Sequence, residues 1–378
     1  MPWRALSVTD LKREFCVLAI REDANICQLS RRFGIAAKTG HKWLARYRAE
    51  GVAGLEEMSR RPHLSPGRSA PEIEQAVLEV RAAHPAWGGR KIRAVLARRG
   101  LAAPAASTIT AILHRNGCAT GAFGGGAKAF RRFEHARPND LWQMDFKGHV
   151  GLGDGTRLHP LTILDDHSRY CLGLAACGDQ KTQTVRQVLT SAFRRYGLPL
   201  ALITDNGSPW GDGPGSPFTP LGVFLIDQGI VISHARPYHP QTMGKDERFH
   251  RSLKAEALSG APFESLAAAD ARLSHWRMLY NTQRPHEALG LAVPAERYHP
   301  SPRDFRETVA PFDYAPGDQL RRVQAEGRVS FKGRNLRLPK AFRGRDVAFR
   351  ASEQDGVYQV YYRHQNIARF DFNIGSER

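Results

Sequence analysis

The sequence has no long apolar run, no cysteine motif and no excess of acidic residues. No stretch approaches the roughly 18 consecutive apolar residues of a membrane-spanning helix, and no charged-then-apolar leader opens the chain. We therefore expect neither a membrane span nor a signal peptide. The five cysteines are scattered and form no C-x-x-C pair. Free thiols in a reducing cytoplasm are expected, and a disulfide framework or a cysteine-rich zinc site is not.

Positive charge is what the chain has in excess. Its 378 residues include 55 Lys and Arg against 37 Asp and Glu, a net charge of +18. Basic residues outnumber acidic ones by 13 to 7 in residues 1–70, by 10 to 4 in 71–136 and by 13 to 8 in 313–378, but only by 19 to 18 in 137–312. Three basic flanks around a nearly neutral centre indicate nucleic-acid-binding regions attached to a catalytic domain. A solvated basic surface is the alternative for any one flank.

The first flank predicts a helix-turn-helix domain over residues 1–60. Asn25 can cap a short helix that stops at Gly34, and a basic helix follows over 36–50. The second helix of such a motif enters the major groove of DNA, although any three-helix bundle would give a similar pattern. Trp43 in this helix is expected in the core, as is Trp142 further along the chain. The predicted DNA contacts are Lys38, His41, Lys42 and Arg46.

Residues 69–118 repeat this pattern as a second helical DNA-binding domain. Ser69 and Glu72 have the spacing of a capping box, and a basic helix is predicted over 89–99. The predicted DNA contacts here are Arg90 and Lys91. Residues 119–136 read as a flexible basic linker. Its glycines do not match a P-loop, so no nucleotide cofactor is expected.

The centre and the tail predict two further architectures, which makes the chain multidomain. Residues 137–300 give the order β-β-β-α-β-α-β-α, which predicts an α/β domain with a mixed sheet. Residues 313–375 alternate apolar and polar positions between turn signals, which predicts a small all-β barrel, or alternatively a sandwich, with a DNA-binding role.

Three carboxylates of the centre carry the candidate chemistry. Asp145 interrupts an apolar strand, Asp205 follows the end of another strand, and Glu247 lies one turn into a helix predicted from about residue 242. Buried carboxylates are costly unless a cation binds them, and oxygen ligands from separate elements suit Mg²⁺ or Mn²⁺. Two such ions would activate a nucleophile and stabilise the leaving oxygen of a phosphodiester. Singly, Asp205 could start a turn and Asp145 could be an ion-paired strand residue.

Neighbouring acids offer alternatives to this assignment. Asp246 could be the ligand in place of Glu247, but α-helical spacing aligns it with Phe249, Leu253 and Ala257 on the apolar stripe. Glu247 instead shares a face with His250, Arg251 and Lys254, so Glu247 is the better ligand. The pair Asp165 and Asp166 precedes a polar turn, and a turn role is favoured there.

Five segments in order resemble the DDE transposases of bacterial insertion sequences, which share the ribonuclease-H-like core of retroviral integrases. They are WQMDFKG at 142–148, LDDHSRY at 164–170, ITDNG at 203–207, HPQTMGKDERFHRSLK at 239–254 and YNTQRPHEAL at 280–289. The resemblance implies that Asp145, Asp205 and Glu247 bind the catalytic metals and that Lys254 contacts transposon-end DNA. Asp246 and Met243 depart from the family pattern, which has a more apolar residue and a small polar residue there.

The sequence thus predicts a cytoplasmic enzyme that binds double-stranded DNA, namely the ends of its own element and a target. It would cut to expose a 3′-hydroxyl and join that hydroxyl to the target, acting as a homodimer or higher oligomer. Arg251 and Arg284 are additional candidate DNA contacts. The rival hypotheses are a DNA-binding regulator that has lost catalysis and a stand-alone metal-dependent nuclease.

Overall fold

The computed structural model describes residues 7–57, 67–118, 134–211, 218–234 and 244–373. Its chain divides into two units between residues 68 and 69. The predicted linker, apart from residues 134–136, lies outside the described residues, as does Met243. No described helix has the length and apolar character needed to cross a membrane.

Three helices form the first unit, and two glycines fit them together. The helices are α1 (Val8–Ala19), α2 (Ile26–Arg32) and α3 (Ala37–Glu50). Asn25 caps α2 as predicted, because its side chain accepts a hydrogen bond from the Gln28 amide. Gly34 turns the chain at φ +66°, and a Cβ at Gly40 would come within 2.4 Å of Ser30 Oγ. The helix-turn-helix therefore depends on a glycine at each of these positions.

The second unit begins with three more helices: α4 (Pro71–Ala83), α5 (Gly89–Arg98) and α6 (Ala106–Arg115). Trp87, Ile92 and Ile109 are buried at their centre. The predicted capping box is wrong, because α4 is capped by Ala70 without a side-chain hydrogen bond. Proline is favoured at the first helical position, where its missing N–H costs nothing, and this moves the cap to residue 70.

A mixed sheet forms the centre of the second unit. Its strands are β1 (Leu141–Phe146), β2 (Val150–Gly151), β3 (Arg157–Asp165), β4 (Cys171–Cys177), β5 (Ala201–Thr204) and β6 (Val231–His234). The main order is β4-β3-β1-β5-β6, with β2 also paired to β3. Strands β1, β5 and β6 are parallel, whereas β3 and β4 form an antiparallel meander beside β1. The predicted α/β class and mixed sheet are confirmed.

Helices cover both faces of this sheet. They are α7 (Thr182–Tyr196), α8 (Pro220–Asp227), α9 (Gly244–Leu253) and α10 (Leu266–Thr282). Alternation along β3 sends Leu161 and Ile163 to the core under α7 and α8, and Leu158 and Leu164 to the core under α9 and α10. After Leu253 the chain continues as a π-helical turn, Lys254–Leu258. Residues from 254 onward therefore depart from the α-helical spacing that the sequence suggested.

The tail is all-β, as predicted, and its described residues show no closed barrel. Its strands are β7 (Gln319–Arg322), β8 (Arg328–Phe331), β9 (Arg334–Arg337), β10 (Asp346–Ala351), β11 (Val357–Tyr362) and β12 (Gln365–Asp371). Among the described residues, β12, β11, β10 and β7 form an open antiparallel sheet, and β8 and β9 form a separate hairpin. The sheet does not need to close on itself, because its apolar residues join the same core as the central domain: the Phe342 and Phe218 rings lie 5.3 Å apart.

Polar contacts also join the tail to the central sheet. Asp227, at the end of α8, accepts a hydrogen bond of 2.6 Å from the Tyr362 hydroxyl and lies 3.0 Å from Arg363 Nε and 3.3 Å from an Arg345 nitrogen. At the edge strand β6, the Gln365 side-chain amide accepts from the Ile232 N–H and donates to the Ile232 carbonyl. The Gln365 side chain thus makes the two backbone hydrogen bonds that a neighbouring strand would otherwise make.

We expect Asp227→Ala to destabilise this junction. The substitution leaves two guanidinium groups without their carboxylate, and the cost should be about 2–3 kcal/mol, below that of a fully enclosed pair because the Arg345 side chain is 48% exposed. Thermal melting should show a lower melting temperature for Asp227→Ala than for the wild type. The control Glu353→Ala, which removes an exposed acid of the tail, should melt at the wild-type temperature. Equal melting temperatures for the two variants would contradict this account.

Candidate functional site

Two of the predicted acids meet at one edge of the sheet. Strands β1 and β5 are parallel neighbours whose register pairs Gln143 with Ile203, so Asp145 comes level with Asp205 just beyond β5. The carboxyl ends of parallel strands form the usual binding crevice of an open α/β sheet. The Asp205 carboxylate accepts a hydrogen bond from the Gly207 amide, which fixes it at the strand end. The turn considered for Asp205 is therefore compatible with a place in the site.

The local electrostatics disfavour the charges that these residues carry. Burial and the Asp205 charge raise the pKa of Asp145 from 3.8 to about 6. Burial also raises the pKa of Asp205. His250 Nδ1 lies 3.9 Å from Asp145 Oδ2, but burial lowers the His250 pKa to about 3. That imidazole is neutral at neutral pH and does not offset the carboxylates.

Helix α9 brings a third acid to the cluster, and it is Asp246. Its side chain is 1% exposed, and its Oδ1 lies 3.3 Å from the Thr162 hydroxyl of β3, the residue paired with Asp145. One ligand atom from each of Asp145, Asp246 and His250 lies within 4.8 Å of the others. The structure places Glu247 beside them with an exposed side chain.

The sequence analysis set Asp246 aside as an alternative ligand and did not place His250 in the cluster, for one reason. Asp246 does share the apolar stripe with Phe249 and Leu253, as predicted, and all three are buried. That stripe faces the sheet, so the helical phase that buries Phe249 also carries Asp246 to Asp145. The available signal was the spacing of Asp246 and His250, which places both on one face of a helix.

The donor set fits a divalent cation. Among the described residues Asp246 Oδ2 is buried and has no hydrogen-bond partner, and its 3.4 Å approach to His250 Nε2 lacks hydrogen-bond geometry. Burial and the neighbouring Asp145 charge raise the pKa of Asp246 well above its ordinary value. Hard oxygen ligands that repel one another in a low-dielectric site are the surroundings that Mg²⁺ and Mn²⁺ compensate.

Asp165 and Asp166, the other pair of neighbouring acids, have the structural role in the turn after β3 that the sequence favoured. Asp165 accepts hydrogen bonds from the amides of Asn139 and Ser168 and from the Ser168 hydroxyl. Asp166 accepts from the Gln143 side chain and the His135 amide. These bonds account for both buried carboxylates without an ion.

In the first unit, the predicted DNA contacts lie on α3. Lys38, His41 and Lys42 are exposed, and Arg46 is half-buried. The ammonium of Lys42 and the guanidinium of Arg46 lie 4.5 and 5.2 Å from the centre of the Trp43 ring. The indole itself is buried, so Trp43 supports these cations from the core, where it was expected. Trp142 is likewise buried, under α7.

In the second unit, the predicted DNA contacts differ in exposure. The Arg90 side chain is 72% exposed and lies 3.8 Å from Glu287, while Lys91 is half-buried and burial lowers its pKa to about 8. Arg251 and Lys254 are exposed. Arg284 is buried against Glu256, to which its Nε donates at 2.9 Å. Its DNA contact stays a prediction, and in this structure the guanidinium already has a carboxylate partner.

Family models match four parts of the chain. Residues 135–240 and 228–294 match an integrase core domain, and residues 39–113 match a homeodomain-like domain. Residues 318–378 match the C-terminal domain of IS481 family transposases. These matches make the chain similar to insertion-sequence transposases that carry an integrase core. The two integrase-core matches fall on the mixed sheet and the segments that follow it, and the other two fall on the helical modules and the all-β tail.

Sequence relatives of the chain also come from insertion elements. The chain is 30% identical to the uncharacterized 31.7 kDa protein of insertion element IS407 from Burkholderia multivorans, over 42% of this chain and 55% of that protein. It is 32% identical to the uncharacterized 39.2 kDa protein of IS476 from Xanthomonas euvesicatoria, over 42% and 44%. The chain thus spans about half the length of these curated relatives. The HTLV-2 integrase catalytic core domain, solved with magnesium, gives a TM-score of 0.34 at 17% identity, over 43% of this chain and 99% of that chain.

The raised pKa of Asp145 makes a prediction about stability. Because the folded-state pKa exceeds the ordinary 3.8, ionising Asp145 costs folding free energy progressively up to about pH 6 and fully above it. In EDTA, Asp145→Asn should therefore melt higher than the wild type at pH 7.5, and by only about a third of that margin at pH 4.5, where the wild-type penalty is about 1 kcal/mol. The gain should be at most about 3 kcal/mol, reduced because the side chain is 30% exposed.

The matched control is Glu264→Gln, which neutralises an exposed acid of the same domain. Its melting temperature should follow the wild type at both pH values. A drop in the melting temperature of Asp145→Asn at pH 7.5 would show that the carboxylate is not held against its neighbours.

Proposed function

We propose that this transposase cuts the ends of its own insertion sequence and joins the exposed 3′-hydroxyls to target DNA, as a DDE-type polynucleotidyl transferase. The observation that carries the proposal is the pair Asp145 and Asp205 at the ends of adjacent parallel strands, backed by a buried acid from α9. Crowded carboxylates of this kind serve phosphoryl transfer by holding divalent ions, and no covalent protein–DNA link is needed.

The residues that would hold Mg²⁺ or Mn²⁺, two ions in our proposal, are Asp145, Asp205 and Glu247. When bound, such ions supply charge that activates the attacking oxygen and stabilises the leaving oxygen of a phosphodiester. Asp145 is partly exposed, and Asp205 and Glu247 are exposed, so a DNA phosphate can reach all three. Asp246, at 1% exposure, is closed to such a phosphate. Because Asp246 lies behind Asp145, we propose that it supports the arrangement of Asp145, Asp205 and Glu247 without contacting the substrate itself.

The basic flanks are proposed to bind the DNA. Exposed cations on α3 and α5 are proposed to hold the element ends, and the all-β tail is proposed to contribute further phosphate contacts with its exposed arginines. The affinity should depend steeply on salt, because each neutralised phosphate releases counterions. Handling two ends together requires at least a dimer on DNA, and we propose that the protein works in the bacterial cytoplasm at the nucleoid.

The three open acids should behave as a unit. We expect Asp145→Asn, Asp205→Asn and Glu247→Gln each to reduce joining of labelled end DNA to a plasmid by at least about a thousandfold, because each removes a metal-binding charge. Binding of end DNA, measured by gel shift, should stay near the wild-type level. Asp246→Asn should be much milder, since its carboxylate is not open to the substrate.

The control for this series is Glu264→Gln, which should join DNA at the wild-type rate. An inactive Asp246→Asn beside an active Glu247→Gln would move the ligand assignment to Asp246. Normal end binding without any joining by the wild type, in Mg²⁺ or Mn²⁺, would favour the inactive regulator, and cleavage without joining would favour the nuclease.

Lys254 should act on DNA rather than on the metal. It is exposed at the first residue of the π-helical turn, directly after the helix that carries Glu247. We expect Lys254→Ala to weaken joining by about tenfold, the worth of one charge-assisted contact of ~1.4 kcal/mol, and Lys254→Arg to retain part of the rate. The Mn²⁺ concentration that gives half-maximal activity should be unchanged. A wild-type joining rate for Lys254→Ala would contradict this role and indicate that Lys254 is a solvent-exposed residue without a contact to DNA.

A further inference from the structure

A buried ion pair lies next to the acid cluster and takes no part in the chemistry proposed above. Asp166, in the turn after β3, is 1% exposed, and its Oδ1 is paired with the ammonium of Lys245. The same carboxylate accepts hydrogen bonds of 2.8 Å from Gln143 Nε2 and 2.9 Å from the His135 amide. Three donors of different origin therefore fix Asp166, which makes it a rigid anchor point on the sheet.

Lys245 lies in the first turn of α9, directly before Asp246 and Glu247. Its side chain is 18% exposed, and its Nζ also lies 3.4 Å from the Asp166 carbonyl oxygen. Burying an ammonium is costly unless a fixed partner compensates it, so this pair holds one side of the helix to one point of the sheet. Consecutive helical residues point about 100° apart, since 3.6 residues make a turn. Fixing residue 245 therefore fixes where 246 and 247 point.

Other contacts of α9, including the 2.9 Å contact between the Thr162 hydroxyl and His250 Nε2, favour the same phase from the next turn onward. Phe249 and Leu253 pack in the core with α10, one and two turns after Lys245. A rotation by one residue at the start of α9 would bring Glu247 against Thr162 and turn Asp246 away from it. The anchor prevents this rotation where the two acids lie.

We propose that Asp166 and Lys245 form a positioning pair that sets the rotational phase of α9, so that Asp246 is buried against Asp145 and Glu247 faces the open side of the acid centre. This inference rests on the proposed function, because it concerns how that site presents its acids to a cation. Neither residue is a metal ligand in this arrangement. The pair acts through α9, as groups behind a metal site commonly do.

The test is Mn²⁺ binding to the full chain without DNA, measured by electron paramagnetic resonance of the free ion. Lys245→Met should bind Mn²⁺ about tenfold more weakly than the wild type, the lower range for losing a group that orients ligands. Simple electrostatics predicts the opposite sign, because removing a positive charge near carboxylates should tighten cation binding. Weaker binding can therefore be attributed to lost positioning. Lys245→Arg, which retains the charge and the reach, should recover most of the affinity.

Arg248→Met is the matched control. It removes a cation from the same helix, but its guanidinium is 63% exposed and lies 3.8 Å from Glu287, away from Asp166. Its Mn²⁺ affinity should equal or slightly exceed that of the wild type. Melting in EDTA reports whether each variant is folded, and if Lys245→Met is not, Lys245→Gln, which also removes the charge, provides the same measurement.

Mn²⁺ affinity in Lys245→Met equal to or tighter than that of the wild type would overturn the positioning role. A failure of the proposed function looks different, because the wild type would then bind no Mn²⁺ or Asp145→Asn would bind it as tightly as the wild type. The variant Asp145→Asn is thus measured in the same series.

Discussion

Repulsion between carboxylates at the ends of β1 and β5 is the constraint on which this structure depends. The parallel register of the two strands brings Asp145 level with Asp205, and α9 adds Asp246 from behind. The His250 imidazole is neutral, and Lys147 only partly offsets burial and the neighbouring charges, because the pKa values of Asp145 and Asp246 stay raised. The surrounding fold therefore keeps carboxylates close together although they repel one another. Sites that bind cations commonly have this property.

The scaffold does this with interactions that are themselves uncharged or internally paired. Thr162 bridges β1 and α9 from the neighbouring strand, and Asp166 ties the start of the helix to the sheet. Further along, the buried pair of Arg284 and Glu256 holds the π-helical turn against the segment after α10. Helix α9, which carries Asp246 and Glu247, is thus fixed at its start and just beyond its end. Positioning by rigid elements is what phosphoryl transfer requires of a protein.

The sequence predicted the order of strands and helices well, because β3 contains a short apolar run bounded by polar residues and α7 repeats its apolar residues at the helical period. It also separated the structural acid Asp165 from Asp145, since a polar turn followed the former. It did not predict the surroundings of Asp246, because a stripe of apolar residues says which side of a helix is buried and not what lies beneath it. The open C-terminal sheet was missed for a similar reason. Alternation reveals an apolar face, whereas α8 and Phe218, which cover it, are distant in sequence.

The side chain of Gln365 completes the edge of the central sheet, and this has a consequence for how the chain is made. Strand β6 leaves the ribosome more than a hundred residues before the amide that satisfies its Ile232 N–H and carbonyl. Until then the growing chain carries an open strand edge beside uncovered apolar surface, the feature through which nascent proteins pair with one another. The tail therefore protects the edge of the central sheet within the same chain. Premature termination would release a central domain whose β6 edge and adjoining apolar surface are open to pairing with other copies of the chain.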